Sequence, residues 1–512
     1  MKNSLRHLFL FALLLGFAQC DKTPSNSVLE PYNETSLDAN GGTWKTYVLT
    51  TGSELPVAAP EAVNTDAYAA ELADLKNKMA AATADQKETA RFWGGNGVLR
   101  WHEIARELAA EYNAAPKVNP DGTYPVPDAN NPANYPRFPF ANPPYTSRAL
   151  ALLAVAQYDA LVTTWNYKFQ YNRLAPYKND GSIQPLIPAN DLPSYPSEDA
   201  VIAFASSEVL KFLFPGEKEY LSSKAEEHTE SRLWAGANVQ SDLDAGQALG
   251  KLVAERIIAY AKTDKMGMAN NQAGVAQLRS DATARGIDKQ WTSRDLPSRP
   301  PMLPFFFNVK TWNFDQATMI ADRPAPPPAV GSAAFETAVN ELRELSKNRT
   351  REQFRIASFW ADGTGTYTPP GHWNRKAAEL IYDKQFNELR SARAMALVNA
   401  AMEDAGVVCW DTKYYYLYPR PCEVDPTIET STGVPNFPAY TSGHSTFSGA
   451  AAEVLSHLFP DKSSELQAMA KEASDSRIYG CIHYRFDSEV GLTSGKKVGQ
   501  YAVQRAQTDG AE

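Results

Sequence analysis

From about residue 61 onward, apolar residues recur at intervals of three and four in one segment after another, the spacing that puts them on one face of a helix. It predicts helices over 67–81, 100–112, 148–165, 199–214, 247–261, 333–345, 351–360, 375–389, 392–405, 445–459 and 495–506. Strand-like alternation bounded by turns is nearly absent. The Pro-rich stretches 116–144, 297–304 and 323–328 read as connectors, because proline lacks an amide hydrogen and its ring clashes with the preceding helical turn. The pattern predicts an all-α fold.

The pattern also repeats. A shift of 245 residues lays Trp165 on Trp410, Lys168 on Lys413, Tyr171 on Tyr416 and Pro176 on Pro421. Without a gap it goes on to pair Ser197 with Ser442, Phe214-Pro215 with Phe459-Pro460, Ser231-Arg232 with Ser476-Arg477, Asp242 with Asp487 and Gly246 with Gly491. One offset held over about a hundred residues points to duplication and predicts two related helical bundles packed together. The copies differ in chemistry. Opposite His444 stands Asp199, opposite His483 Asn238, opposite Arg420 Ala175 and opposite Gly443 Glu198. The N-terminal copy reads as a scaffold without its own oxyanion, and the C-terminal copy as the working half.

At 512 residues the chain can bury one very large core or, in better accord with ordinary domain size, two to three domain-sized ones. A net charge of −9 without a long basic run argues against nucleic acid as a partner. At the N-terminus, Lys2, Arg6 and His7 precede the apolar run 8–17, and Cys20 follows. The run is too short to span a bilayer, and with Cys20 it resembles a bacterial lipoprotein signal, an ordinary secretory signal being the alternative. The expectation is an exported protein of the cell envelope (outer membrane or periplasm), held only by a lipid on Cys20. The organisation expected is a signal at 1–20, a flexible polar tether at 21–60, the N-terminal bundle at 61–290, a Pro-rich connector at 291–330 and the C-terminal bundle at 331–512. Cys409, Cys422 and Cys481 permit at most one bridge among them and do not have zinc-site spacing.

Three segments of the C-terminal copy concentrate the chemistry. They are Lys413-Tyr-Tyr-Tyr-Leu-Tyr-Pro-Arg420-Pro421, then Pro438-Ala-Tyr-Thr-Ser442-Gly443-His444, then Ser476-Arg477 with His483 six residues beyond the arginine. A small Ser-Gly at a helix start offers amide hydrogens and the positive end of the helix dipole. Together the segments supply three cations, a hydroxyl, amide donors and two histidines, the inventory needed to hold a tetrahedral oxyanion and move a proton beside it. Singly, a histidine at a helix start or an arginine a few residues before a histidine means little. Asp487, one turn after His483, could orient that ring, but Asp242 persists in the other copy and favours an ion pair inside the bundle. The Tyr414 to Tyr418 run reads as packing. His372, in Pro-Pro-Gly-His-Trp, reads as a structural residue at a helix start, and His102, His228 and His457 as core or surface residues.

The three segments resemble the signature of the vanadium haloperoxidase and type-2 phosphatidic acid phosphatase superfamily, departing from it at Thr441, where that family usually has proline. The resemblance implies that His483 binds vanadium or attacks phosphorus, that His444 is the acid/base, and that Lys413, Arg420, Ser442, Gly443 and Arg477 hold the oxyanion. It also implies that Trp410 and Phe437 line a halide site, although Trp165 in the other copy leaves packing as a rival role for Trp410. The segment Phe359-Trp-Ala-Asp362 is similar to one whose aspartate hydrogen-bonds the acid/base histidine, so Asp362 is expected on His444, raising its pKa. The implied function is a vanadate-dependent haloperoxidase that oxidises a halide with hydrogen peroxide, needing neither haem nor flavin. From the same pocket the alternative is an acid phosphatase that cleaves a phosphomonoester through a phosphohistidine. An anchored binding protein with a degenerate site is a third reading, against which the complete residue set argues.

Overall fold

The 245-residue shift is reproduced helix by helix in the computed structural model, which describes residues 29–125 and 142–511. Pro143–Tyr171 corresponds to Glu388–Tyr416, Glu198–Leu213 to Gly443–Leu458, Lys218–Ala235 to Ser463–Tyr479, and Gln240–Ala261 to Arg485–Ala506. All regular elements among the described residues are helices. The same local chemistry sets both copies. Asn142 and Asn387 cap the long helices by accepting the amides of Tyr145 and Arg390, and Ser197 and Ser442 cap the next pair. The leader 1–20 and Cys20 lie outside the described residues.

The long helices Pro143–Tyr171 and Glu388–Tyr416 pack against each other at the centre, and one continuous apolar core runs through both copies. Each long helix carries two buried anchors at matching positions. Arg148 pairs with Asp264 at 2.6 Å and Arg393 with Asp509 at 2.7 Å. Asp159 accepts the amides of Tyr47, Val48 and Leu49, and Asp404 those of Trp312 and Asn313. A buried carboxylate is tolerated because its oxygens are satisfied by main-chain donors.

Those contacts overturn the flexible tether over 29–60, residues 21–28 lying outside the described residues. From Leu29 the segment is packed, with Trp44, Leu49 and Leu55 buried and Asp159 pinning residues 47–49. A few apolar anchors spaced among many polar residues carry no helical period, so composition hid them. The polar helices Ala84–Gly94, Lys218–Ala235 and Ser463–Tyr479 were also absent from the periodic pattern, since narrow buried stripes sustain them. The region 291–330 is more than a connector, because residues 299–303 form part of the wall of the central cavity. Cys409, Cys422 and Cys481 are buried thiols. No helix among the described residues is long and apolar enough to cross a membrane.

Small residues bring the last helix of each copy onto the helix that starts at Ser197 or Ser442. A Cβ on Gly246 would sit 2.5 Å from the Ser197 carbonyl oxygen, and one on Gly491 2.8 Å from that of Ser442. Gly491→Ala should therefore lower stability by about 1–3 kcal/mol through overpacking, read as a lower urea midpoint. Gly181→Ala, where a Cβ meets nothing within 4 Å, should leave the midpoint unchanged.

Candidate active site

The last turn of the long helix Glu388–Tyr416 places Lys413, the turn after it places Arg420, the N-terminus of Gly443–Leu458 places Ser442, Gly443 and His444, and the end of Ser463–Tyr479 places Arg477. His483 lies in the short link before Arg485–Ala506. Lys413, Arg420, Arg477, Ser442 and His483 are all at least 98% buried. Main-chain carbonyls orient the cations. Lys413 Nζ donates to Pro438 O at 2.8 Å and Ala439 O at 2.9 Å, and also to Thr441 O. Arg420 donates to Phe437 O and Ile482 O. Arg477 is braced by Ser476 Oγ at 2.9 Å and Ala357 O at 3.0 Å.

Burial draws Lys413 down to about 7, and Arg420 and Arg477 to about 10. Three carbonyl oxygens around Nζ oppose this for Lys413, because the lone pair of a neutral amine would face one of them. That geometry favours the ammonium form. Burial, then the charges of Arg420, Lys413 and Arg477, holds His483 well below its ordinary pKa, so its ring is neutral. The Nδ1 atom meets Asp487 Oδ2 at 2.9 Å, while Nε2 faces Arg420 Nη1 at 2.9 Å. With a carboxylate on one side and a guanidinium on the other, the proton belongs on Nδ1 and the lone pair on Nε2. Asp487 thus orients the ring, correcting the ion-pair reading. In the other copy Asp242 does pair with Arg173, whose counterpart is Tyr418, so one conserved carboxylate does two jobs.

His444 is also held well below its ordinary pKa, by burial and then by Arg477. Its Nε2 is buried without a hydrogen-bond partner. The expected Asp362–His444 bond is not formed. Asp362 instead accepts from His372 Nδ1 at 3.2 Å, and the carbonyls of Trp360 and Ala361 are what support the His444 ring. The main chain of the 360–362 turn takes the place of the expected carboxylate, so the expected upward shift is replaced by a downward one.

Asp362, Trp410, Phe437, Gly443, His444, Arg477 and His483 all line one cavity of about 600 Å³, whereas Lys413, Arg420 and Ser442 stand behind its wall. The Trp410 and Phe437 rings lie 4.9 Å apart, and Trp410 Nε1 donates to Met302 O at 3.2 Å. The sequence reading missed the rest of the wall. Arg299, Met302, Leu303, Asn436 and Phe447 line it, joined by Asn113 and Tyr145 from the N-terminal copy. Nothing in a linear motif marks residues that only packing between copies brings to one place.

The N-terminal pocket is filled by its own carboxylates. Glu198 lies 2.7 Å from Lys168 Nζ, and Asp199 lies 2.9 Å from His228 Nε2 and 3.7 Å from Arg232. Burial raises Asp199, but Arg232, His228 and Lys168 outweigh it and hold the carboxylate ionised. Glu34 adds a further acid, pushed up to about 8 by burial and by Glu198.

The family model for the VCPO second helical-bundle domain matches residues 462–510. The chain is 30% identical over 210 residues to the vanadium chloroperoxidase of Curvularia inaequalis, a match covering 31% of this chain and 34% of that relative's length. In fold it is similar to the first bacterial vanadium-dependent iodoperoxidase, with a TM-score of 0.56 and 24% identity over 71% of this chain and 91% of that one. It is also similar to a bacterial vanadium-dependent chloroperoxidase, with a TM-score of 0.50 and 13% identity over 72% and 93% of the two chains. These likenesses show the fold of the vanadium haloperoxidases.

The residues present fit a vanadate group. A Cβ on Gly443 would meet only Phe447, at 3.9 Å, so the helix N-terminus opens onto free space. An unpartnered His444 Nε2, Arg477 and His483 line the cavity there, with Lys413 and Arg420 behind its wall. Asp487→Asn exchanges the carboxylate that fixes the His483 tautomer for a neutral amide, which can offer either an oxygen or an NH2 to Nδ1. It should weaken orthovanadate binding by roughly tenfold to a hundredfold, measured by titration calorimetry.

Proposed function

We propose that this chain is a vanadate-dependent haloperoxidase. The observation that carries the proposal is the placement of His483, whose Nδ1 meets Asp487 Oδ2 at 2.9 Å and whose Nε2 side is set among three buried cations at a helix N-terminus. His483, Arg420, Arg477, Lys413, Ser442 and Gly443 would hold vanadate, which when bound activates hydrogen peroxide as a Lewis acid without changing oxidation state. Overall, peroxide, halide and one proton give hypohalous acid and water. His444 Nε2 is the group placed to take a proton from peroxide and return it to the departing oxygen. Low pKa values keep both histidines neutral, one as ligand and the other as base. Fixed cations supply charge in a water-poor site, where each is worth more than in bulk solvent.

Trp410 and Phe437 favour halide oxidation over phosphoryl transfer, since an aromatic corner beside the cations serves a soft halide and has no job in phosphate ester cleavage. Trp410→Ala should lower bromide or iodide oxidation by about tenfold or more, equivalent to ~1.4 kcal/mol in the barrier. Any p-nitrophenyl phosphate hydrolysis should change by only a few-fold, with the circular dichroism spectrum intact. A wild-type protein that hydrolyses the ester and oxidises no halide, with or without vanadate, would establish the phosphatase instead.

The Lys2 to Cys20 leader supports a further proposal, that the protein is exported and lipid-anchored through Cys20. Cys20→Ala should release it from the membrane fraction. Unchanged fractionation would contradict the anchor.

A further inference from the structure

The turn 360–362 sets Asp362 at the cavity wall, close enough for its charge to be the main one opposing burial at Arg477. Yet among the described residues no ion pair joins the two. Asp362 is turned to His372 instead, with Nδ1 3.2 Å from one carboxylate oxygen and 3.3 Å from the other. The backbone at Asp362 is left-handed, with φ of 42°, uncommon for a residue with a side chain and held here by its surroundings. His372 is itself fixed, stacked on Trp360 with centroids 4.3 Å apart and planes 12° apart, and edge-on to Phe359 at 5.3 Å. Its side chain is 16% exposed and that of Asp362 8%.

The N-terminal copy displays the alternative. There a histidine also stacks on the matching tryptophan, His228 on Trp93 at 4.2 Å. The carboxylate of that pocket, Asp199, stands opposite His444 in the 245-residue shift and reaches both His228 Nε2, at 2.9 Å, and Arg232, the counterpart of Arg477, at 3.7 Å. A carboxylate in that place does what a bound oxyanion would do, and the pocket is closed to one by charge.

Resting on the oxyanion reading of the site, we propose that His372 is a positioning residue that holds the Asp362 carboxylate off Arg477, leaving the guanidinium available to an anion in the cavity. Without the Nδ1 donor, Asp362 is free to swing onto Arg477 and compete with the anion. A second change that removes the competing charge then reverses the loss, which no general damage to the fold would do.

The test is titration calorimetry of the full chain with inorganic phosphate and with orthovanadate. His372→Phe keeps a ring for the stack and removes the donor, and should weaken binding by about tenfold. His372→Asn, whose side-chain amide can still donate to Asp362, should stay within a few-fold of wild type. The double variant His372→Phe with Asp362→Asn should regain wild-type affinity or better. Wild-type binding by His372→Phe alone overturns the proposal, as does a double variant that binds no better than His372→Phe. Because the readout is anion affinity, it is independent of turnover. A wild type that binds both anions and oxidises no halide would sink the haloperoxidase reading and leave this test standing.

Discussion

Three buried cations crowd one end of the C-terminal bundle, and the need to balance them organises the rest of the site. A buried charge is costly unless it is paired or satisfied by dipoles. Main-chain carbonyls meet part of that need at Lys413, Arg420 and Arg477. Each carbonyl is delivered by a segment whose path is set elsewhere, so the pocket depends on the packing of several helices rather than on any one motif. Two acids close by are committed, Asp487 to the His483 ring and Asp362 to His372. What remains is a recess with surplus positive charge.

The duplicated half solves the same problem in another way. It keeps Lys168 and Arg232, loses the counterpart of Arg420, and brings Glu198 and Asp199 against the remaining cations. One scaffold with one set of caps and buried ion pairs therefore carries two charge states. The copy balanced internally serves as structure, and the copy left with surplus positive charge is the one placed to bind. The single core through both halves explains why the balanced copy is retained, since its residues Asn113 and Tyr145 help to wall the cavity of the other.

Much of this was legible in the residues themselves. The period of the apolar positions gave the helices with a wide buried face, and the 245-residue shift gave the duplication, because substitutions at matched core positions left spacing intact. The oxyanion residues could be read because each lies in a short segment of distinctive composition. Three things escaped. The packed segment 29–60 has anchors without a period, polar helices such as Ser463–Tyr479 are sustained by narrow buried faces, and the partners of Asp362 and Asp487 depend on where side chains point. Asp362 faces His372 rather than His444 because the carbonyls of Trp360 and Ala361 already support the His444 ring, a preference no linear spacing encodes. Asp487 was misread because its counterpart Asp242 truly is an ion-pair residue.

The central claim is that one pocket, in the C-terminal copy, binds the oxyanion through charge and the His483 lone pair, while the other is closed by its own carboxylates. Equilibrium dialysis of the full chain against orthovanadate measures this directly. The account predicts saturation at one vanadate per chain and no tight binding in His483→Ala. Two per chain, or one that survives the loss of His483, would contradict it.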